Sequence, residues 1–437
     1  MKFPLLLSFL CIPLLAKSQT KITTFYDTLN TVVKEQFYIL GNDTSKVDGL
    51  YVKYYPEGQV ETKAVFKNGV IDSALTEYYP SGKVKRIIHY KENKKQGPLE
   101  VYNENGTILQ KGFYKEDVLS DTLYLYYPDG NLKSKGKFVN DKPDGVITEY
   151  YPSGKVKQTI TYAQALQNGV TKTFYEDGKL KTEANYSNGF IDGYFKTYYS
   201  NGQLDTESTL VNGKNHGPFK SYNKEGKLIL EGSYKNGVLD GPNKTYYDNG
   251  ILKQDFEYNQ GFRTGENFIF YESGDLKEKI IYSNKEKDRI IKEYHPRKKL
   301  KKESQYTENK PSGTWNYYFP NGNINIKESY TEGKIQGIRS TYNDGGKLSL
   351  EENFVNGIKS GVEKKFDDTG NLLSETHYLN NSKNGPFHEY FQSGKPKIKG
   401  YFKNNKETGE WHEYDENGKQ ISLKVYRNGS LISSKDL

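Results

Sequence analysis

The chain has 437 residues, of which only 34% are hydrophobic, yet 39 Tyr and 21 Phe bring the aromatics to 14%, and there are 42 Gly. So few aliphatics exclude several thick cores and so many aromatics exclude a disordered chain, which leaves a thin, Tyr-rich architecture. A formal charge of +8 is too mild for a general nucleic-acid footprint, and the single cysteine, Cys11, sits in an apolar leader, which excludes thiol chemistry, disulfides and cysteine metal sites from a mature chain.

Residues 1–18 open on Lys2, run uncharged from Phe3 to Leu15 and close on Ala16-Lys17-Ser18, the pattern of a secretory signal cut near Ser18. The apolar run falls short of the roughly 20 residues that span a bilayer. Without Lys2 and Lys17 the chain keeps 61 basic against 55 acidic side chains, or +6. Export is expected, to the periplasm, the outer surface or the medium, with membrane association no more than peripheral. Residues 19–48 carry none of the pattern that follows and read as an N-terminal cap segment.

From residue 49 to 432 the chain repeats every 24 residues without an insertion. Gly recurs at fifteen of sixteen positions from Gly58 to Gly418, with Lys298 the exception, and nine residues earlier at thirteen of sixteen, with Ser73, Asp121 and Arg289 the exceptions. An aromatic lies four residues before every member of the first series, and eight residues after fifteen of the sixteen, from Phe66 to Tyr426 with Leu210 the exception. Phrases such as Tyr79-Pro80-Ser81-Gly82 are turn chemistry, and Asn68-Gly69 or Asn212-Gly213 is a hairpin signal. Two turns per repeat leave two strands of about seven residues, so each repeat is one β-hairpin. In the second strand Leu132 and Phe138, or Leu180 and Tyr186, share a face, with Lys133 or Lys181 on the opposite, wet face.

The fold class expected is all-β: an elongated antiparallel array of about sixteen hairpins, a twisted sheet or solenoid on the order of 150 Å long, held by an aromatic row stacked from repeat to repeat. Residues 433–437 are a short tail, and Arg427 and Lys435 are placed to blunt the last edge.

The unit, with Gly313, Trp315, Tyr317, Tyr318 and Gly322 or Gly409, Trp411, Tyr414 and Gly418, resembles the MORN-repeat variant family of bacterial hairpin repeats, often labelled YwqK-type antitoxin proteins. The Trp column is otherwise mostly Tyr, Leu, Ile or Phe, as at Leu99 and Phe195, and repeat eleven loses both glycines. The resemblance implies a hairpin scaffold for interaction, with no catalytic residues to carry over, and the antitoxin label implies immunity to a toxin.

No phosphate loop, nucleophile elbow or metal motif occurs, so an enzyme is not expected and no cofactor is called for. His388 and His412 share a column in adjacent repeats, about 10 Å apart, too far for one metal. Glu183, Glu207 and Glu231 form a column that laces with the lysines but makes no cleft. The local anomaly is repeat eleven: between Lys285 and Lys302 nine basic residues face Glu286, Asp288 and Glu293, a charge of +6. Arg297, Lys298, Lys299, Lys301 and Lys302 are therefore a candidate patch for an anionic partner. A side chain at the Lys298 turn position costs on the order of 1 kcal/mol if the turn keeps its form. The expected function is a non-enzymatic exported scaffold for an unknown protein or cell-envelope partner. Neutralisation of a secreted toxin is the first alternative. A cell-wall or carbohydrate-binding module is the second, disfavoured by having only Trp315 and Trp411.

Overall fold

The computed structural model describes residues 18–437; the expected leader and Cys11 lie outside them. Among the described residues there are only strands, turns and bends, and the strands pair antiparallel with their neighbours in sequence. Two compact units divide the chain, one up to Asp205 with Leu210–Gly213 and one from Lys214 to Leu437 with Thr206–Thr209. We number the repeats 1 to 16 from Gly49. In the first unit residues 19–48 form a hairpin, Gln19–Phe25 on Val33–Leu40, whose loop is tied by Asp27 accepting from the Thr31 and Val32 amides.

Within repeat 1, Gly49–Tyr54 pairs with Val60–Lys67. Of the four columns read from the sequence, two face each other across the hairpin, a third faces the residue two after the turn glycine, and the fourth is that turn glycine. Gly49 opposes Phe66 and Tyr54 opposes Val60; the same pairs recur as Gly145 with Tyr162 and Tyr150 with Val156, or Gly409 with Tyr426 and Tyr414 with Gln420. A glycine facing an aromatic leaves room for the ring to lie over bare backbone. The Gly58 turn closes with its amide on the Tyr55 carbonyl (2.9 Å) and a φ of 92°, a left-handed value that a side chain resists.

Two features join one repeat to the next. The tyrosine opening the turn donates its hydroxyl to a backbone carbonyl of the following repeat, as Tyr79 does to Tyr102 and Tyr151 to Phe174, both at 2.8 Å. The second turn, Asn68-Gly69, has both residues at positive φ (52° and 82°), the form that matches strand twist in two-residue hairpins. These turns stack: the Gly237 amide donates to the Asn215 carbonyl and the Gly261 amide to Leu239. Where the second turn residue is Asn or Asp, its side chain also accepts an amide of the preceding repeat, as Asn93 does from Ile71 and Asp141 from Leu119.

Alternation follows the expected faces. In Leu132–Val139 the even positions are covered and the lysines exposed. The deepest positions are a cross-strand pair: the Trp column, two residues after the glycine that opens the repeat, faces a position six after the turn glycine that the sequence pattern did not single out. In the first unit this pair is large against small in repeats 1, 3 and 4, Tyr51 on Ala64, Leu99 on Gly112 and Leu123 on Gly136, and aliphatic on aliphatic in repeats 2 and 5, Leu75 on Ile88 and Ile147 on Ile160. We call this the inner face. On the outer face the Glu column pairs with lysines of the facing strand, Lys172 with Glu183 at 3.2 Å and Lys292 with Glu303 at 2.9 Å, rather than with the lysines of its own strand. Those lie over the turn tyrosines instead, Lys133 at 5.9 Å from the Tyr127 ring and Lys253 at 5.4 Å from Tyr247.

Two expectations need correction. The aromatic row is not one continuous spine: ring contacts gather in clusters such as Tyr306, Trp315 and Tyr330 or Phe387, Phe402, Trp411 and Tyr426, and between clusters aliphatic or charged side chains fill the inner face. The last residues are not a loose tail, because Ser430–Asp436 is a strand on Gln420–Arg427.

Candidate functional site

The site grows out of a defect in the repeat. Elsewhere a two-residue turn is followed by a bulge near the first glycine, so that Tyr234 opposes Leu239 but Leu230 opposes Thr245, a slip of two residues. Arg289 stands where that glycine belongs. Between Leu276–Ser283 and Asp288–Tyr294 the ladder runs without a slip, from Ser283 opposite Asp288 to Glu278 opposite Glu293. The two residues no longer absorbed by the bulge pass into the turn, which becomes the four-residue loop 284–287, with Asn284, Lys285 and Glu286 all at positive φ (48°, 52° and 68°). The strand register downstream is thereby preserved.

This longer loop delivers Glu286 to Arg263 of the preceding repeat. The carboxylate accepts from the Arg263 amide (2.6 Å) and from its guanidinium (2.7 Å). That pairing holds the Glu286 carboxyl below the usual carboxylate range and raises Arg263. The Arg263 guanidinium lies 4.4 Å from the Tyr282 ring centre and 5.6 Å from Phe256. Beneath it the fully buried Asn267 donates to the Thr264 and Gly265 carbonyls and accepts from the Glu257 amide, which fixes the bulge that carries Arg263. In the next repeat Arg289 lies 4.1 Å from the Tyr306 ring centre and donates to Asn309 Oδ1 (2.9 Å). Lys285 reaches over Phe262 at 5.6 Å. Burial pushes the Tyr282 hydroxyl up.

Arg263, Tyr282, Lys285, Glu286, Arg289 and Asn309 line an open cleft of about 520 Å³, three cations against one carboxylate, a formal +2. Each arginine is immobilised against an aromatic ring, which presents its planar fork at reduced entropic cost.

The patch expected from the sequence does not stay together. Lys301 and Lys302 are successive residues of Leu300–Thr307 and point to opposite faces. Both ammonium groups come near Glu293, at 3.9 and 3.8 Å, but Lys301 stays exposed while Lys302 sits over the Trp315 ring at 4.4 Å. Arg297 and Lys298 occupy the opposite edge from the cleft, in a turn with two left-handed residues (φ 72° and 71°), and Lys299 donates to the Asn321 carbonyl at 2.9 Å. The charge run thus divides between two edges and two faces. Arg263 and Asn309 were not singled out in the sequence. For Arg263 the signal is a cation two residues before the glycine that opens a repeat, as at Lys95, Arg263, Lys359 and Lys383, each over an aromatic of the next repeat. His388 lies beside Glu375 (3.8 Å) and His412 beside Glu410 (3.4 Å).

The profile of a family described as MORN repeat variant matches thirteen segments, 47–68, 73–92, 95–116, 122–140, 143–164, 167–188, 191–212, 215–236, 239–260, 263–284, 311–332, 359–380 and 383–404. The repeat beginning at Arg289 is not among them. No curated protein matches the chain. Among solved structures it is similar to TcdB2-TccC3, at 12% identity over 95% of this chain and 27% of that one with a TM-score of 0.15. It is also similar to TcdB2-TccC3-Cdc42, at 11% identity over 94% of this chain and 31% of that one with a TM-score of 0.14. The chain spans less than a third of the length of either.

Proposed function

Because the chain belongs to the MORN repeat variant family, we propose that it is a non-enzymatic, exported scaffold whose hairpin faces bind a protein or cell-envelope partner. The observation that carries this reading is the coincidence of pattern and defect. Nearly every residue after 48 serves a regular hairpin, and the one repeat that loses both glycines is also where cations gather beside the cleft. Structural repeats need no such charge, since glycine in that place serves thirteen others. The residues of repeats 9 to 11 therefore offer a specific contact on a generic framework.

The test is a crosslinking pull-down with the chain from Gln19 onward, exposed to the envelope fraction of its native cell, in parallel with Arg289→Gln and with Arg297, Lys298 and Lys299 all changed to Gln. A partner retained by the parent and lost by the first variant supports the reading and places the contact at the cleft; loss with the triple variant alone moves it to the turn edge. Recovery of a secreted toxin selects the immunity reading, and recovery of wall glycan without protein selects the carbohydrate reading. Absence of any saturable partner in all arms overturns the scaffold proposal.

A further inference from the structure

Resting on that scaffold reading, we infer that the cleft between Arg263 and Arg289 is a docking site for a carboxylate side chain of an acidic peptide segment. The protein itself displays the recognition chemistry. Glu286 is a carboxylate already held on this edge by one backbone amide and one guanidinium, at 2.6 and 2.7 Å. One repeat along, Arg289 has the same kind of aromatic support, the Tyr306 ring at 4.1 Å, but its polar partner is the neutral Asn309. No carboxylate lining the cleft is left to neutralise Arg289 and Lys285, because Glu286 is committed to Arg263. Of the other acids of the turn edge, Asp288 accepts the Glu308 amide at 2.8 Å, and Glu308 is engaged by Lys287 at 3.1 Å and by Asn284 at 2.9 Å. The cleft thus repeats an arginine-on-tyrosine unit once with its anion and once without.

Peptide rather than lipid or polyanion is favoured by what surrounds the second arginine. Phe262, under the Lys285 ammonium, and the adjoining hollow of about 200 Å³ bounded by Phe262, Thr264 and Ser283 offer apolar and hydrogen-bonding contacts at the side of the charge. A planar guanidinium fork matches a planar carboxylate in two parallel hydrogen bonds. A formal +2 within one cleft suits one or two acidic side chains, not a densely charged surface.

The experiment titrates the full chain from Gln19 with a fluorescently labelled poly-glutamate peptide at low salt, followed by anisotropy. Saturable binding is expected, weakened about tenfold by Arg289→Gln, the loss of a hydrogen-bonded charge pair. Lys285→Gln should weaken it less, and Lys133→Gln on the outer face of the first unit should leave it unchanged. Lys285→Gln touches only the Phe262 ring, so it remains informative if Arg289→Gln disturbs folding. The inference fails if the peptide does not saturate, if both cleft variants bind as the parent does, or if phosphatidylserine vesicles or heparin bind more tightly through the same two residues. A partner captured in the pull-down without poly-glutamate competition would leave the scaffold reading standing while removing this one.

Discussion

The inner face of the first unit and that of the second are built on the same columns, but only the second buries several polar and charged side chains among its apolar ones. Repeats 2 to 5 place Ile88, Leu99, Leu123 and Ile147 there, with Leu99 on Gly112 and Leu123 on Gly136 but Ile88 on Leu75 and Ile147 on Ile160: a Cβ on Gly112 would stand 3.0 Å from Leu119 Cδ1, and one on Gly136 only 2.5 Å from Ile147 Cγ1. Repeats 10 to 14 bury Asn267, Ser304, Glu328, Glu363 and Thr376 at the corresponding positions, alongside Ile280 and Trp315. There the contacts are ionic, with Lys359 reaching Glu352 at 2.8 Å and also Glu363, and Arg339 Nε 3.5 Å from Glu328. Both units nevertheless keep the glycine opposite the aromatic and the left-handed second turn. Backbone geometry is thus specified by turns and bulges, while the middle of the face tolerates either oil or charge, provided the charge is paired.

The sharpest break of this contrast is an exchange. Leu99→Glu places an unpaired carboxylate among Leu119, Leu123 and Gly112 and should cost about 3–5 kcal/mol locally. Glu363→Leu removes one acid from a lysine that keeps Glu352, and should stay within about 1 kcal/mol. Arrays of repeats open locally, so the readout is native-state amide exchange in repeats 3–4 and 13–14, not one melting point. Equal losses in the two variants would show that the face is chemically uniform after all.

Lys359→Met tests the ionic half alone. It strands Glu352 and Glu363 on one face and is expected to cost about 3 kcal/mol in repeats 13–14 at neutral pH, recovering as acid protonates the carboxylates. In the parent, burial disfavours the Lys359 ammonium, but its two carboxylates outweigh that and its pKa is raised. Its contribution is therefore complete below the ordinary lysine value, about 10.4, and lost as the pH climbs through the higher folded value. Exchange protection in these repeats that does not change between parent and variant from pH 7 to 5 would remove the claim.

Most of the fold was legible because its determinants are local. Gly58, Asn68-Gly69 and the tyrosines recur in fixed phase, and each acts within its own turn or on the facing strand. Two things were hidden. The tyrosine hydroxyls at 127 and 151 bond backbone of the next repeat, and a side chain seeking a carbonyl leaves no complementary residue type in the sequence. The site was hidden for a different reason. Linear charge density predicted a patch at 297–302, but the pleat sends Lys301 and Lys302 to opposite faces, and the cleft gathers Arg263 and Asn309 from repeats on either side. Arg289 in a glycine column was visible; that it would lengthen a turn and bring Glu286 onto Arg263 required the strand register.

A smaller effect should appear in alkali, and in both units. Burial pushes the Tyr51 hydroxyl up to about 12, assisted by Glu35, and burial together with the hydrogen bond to Glu328 pushes Tyr330 up to about 12. Stability that depends on these neutral phenols is intact below about pH 10, the unfolded tyrosine value, and drains away as the pH rises toward the folded one. Phenolate absorbance should show a late-titrating class, and Glu328→Gln should bring Tyr330 earlier without moving Tyr51. A single ordinary tyrosine transition in the parent would contradict the burial of both rings.

The smallest expected change bears on the turn of repeat 11. Regular turns place one left-handed residue, a glycine such as Gly274 at φ 88°, whereas this turn holds Arg297 and Lys298 both left-handed while keeping the His295 amide on the Lys299 carbonyl at 2.7 Å. Each such side chain costs roughly 1 kcal/mol. Lys298→Gly lets the regular turn return and relieves both residues, but the glycine also enlarges the unfolded ensemble by about 0.4–1 kcal/mol. A net gain of about 1 kcal/mol follows, read as slower amide exchange in repeats 11 and 12, with Lys298→Asn gaining less because only one residue is eased. If Lys298→Gly instead loosens these repeats, the two left-handed residues are held by contacts of the cationic side chains rather than tolerated at a cost, and repeat 11 is a built element at both of its edges.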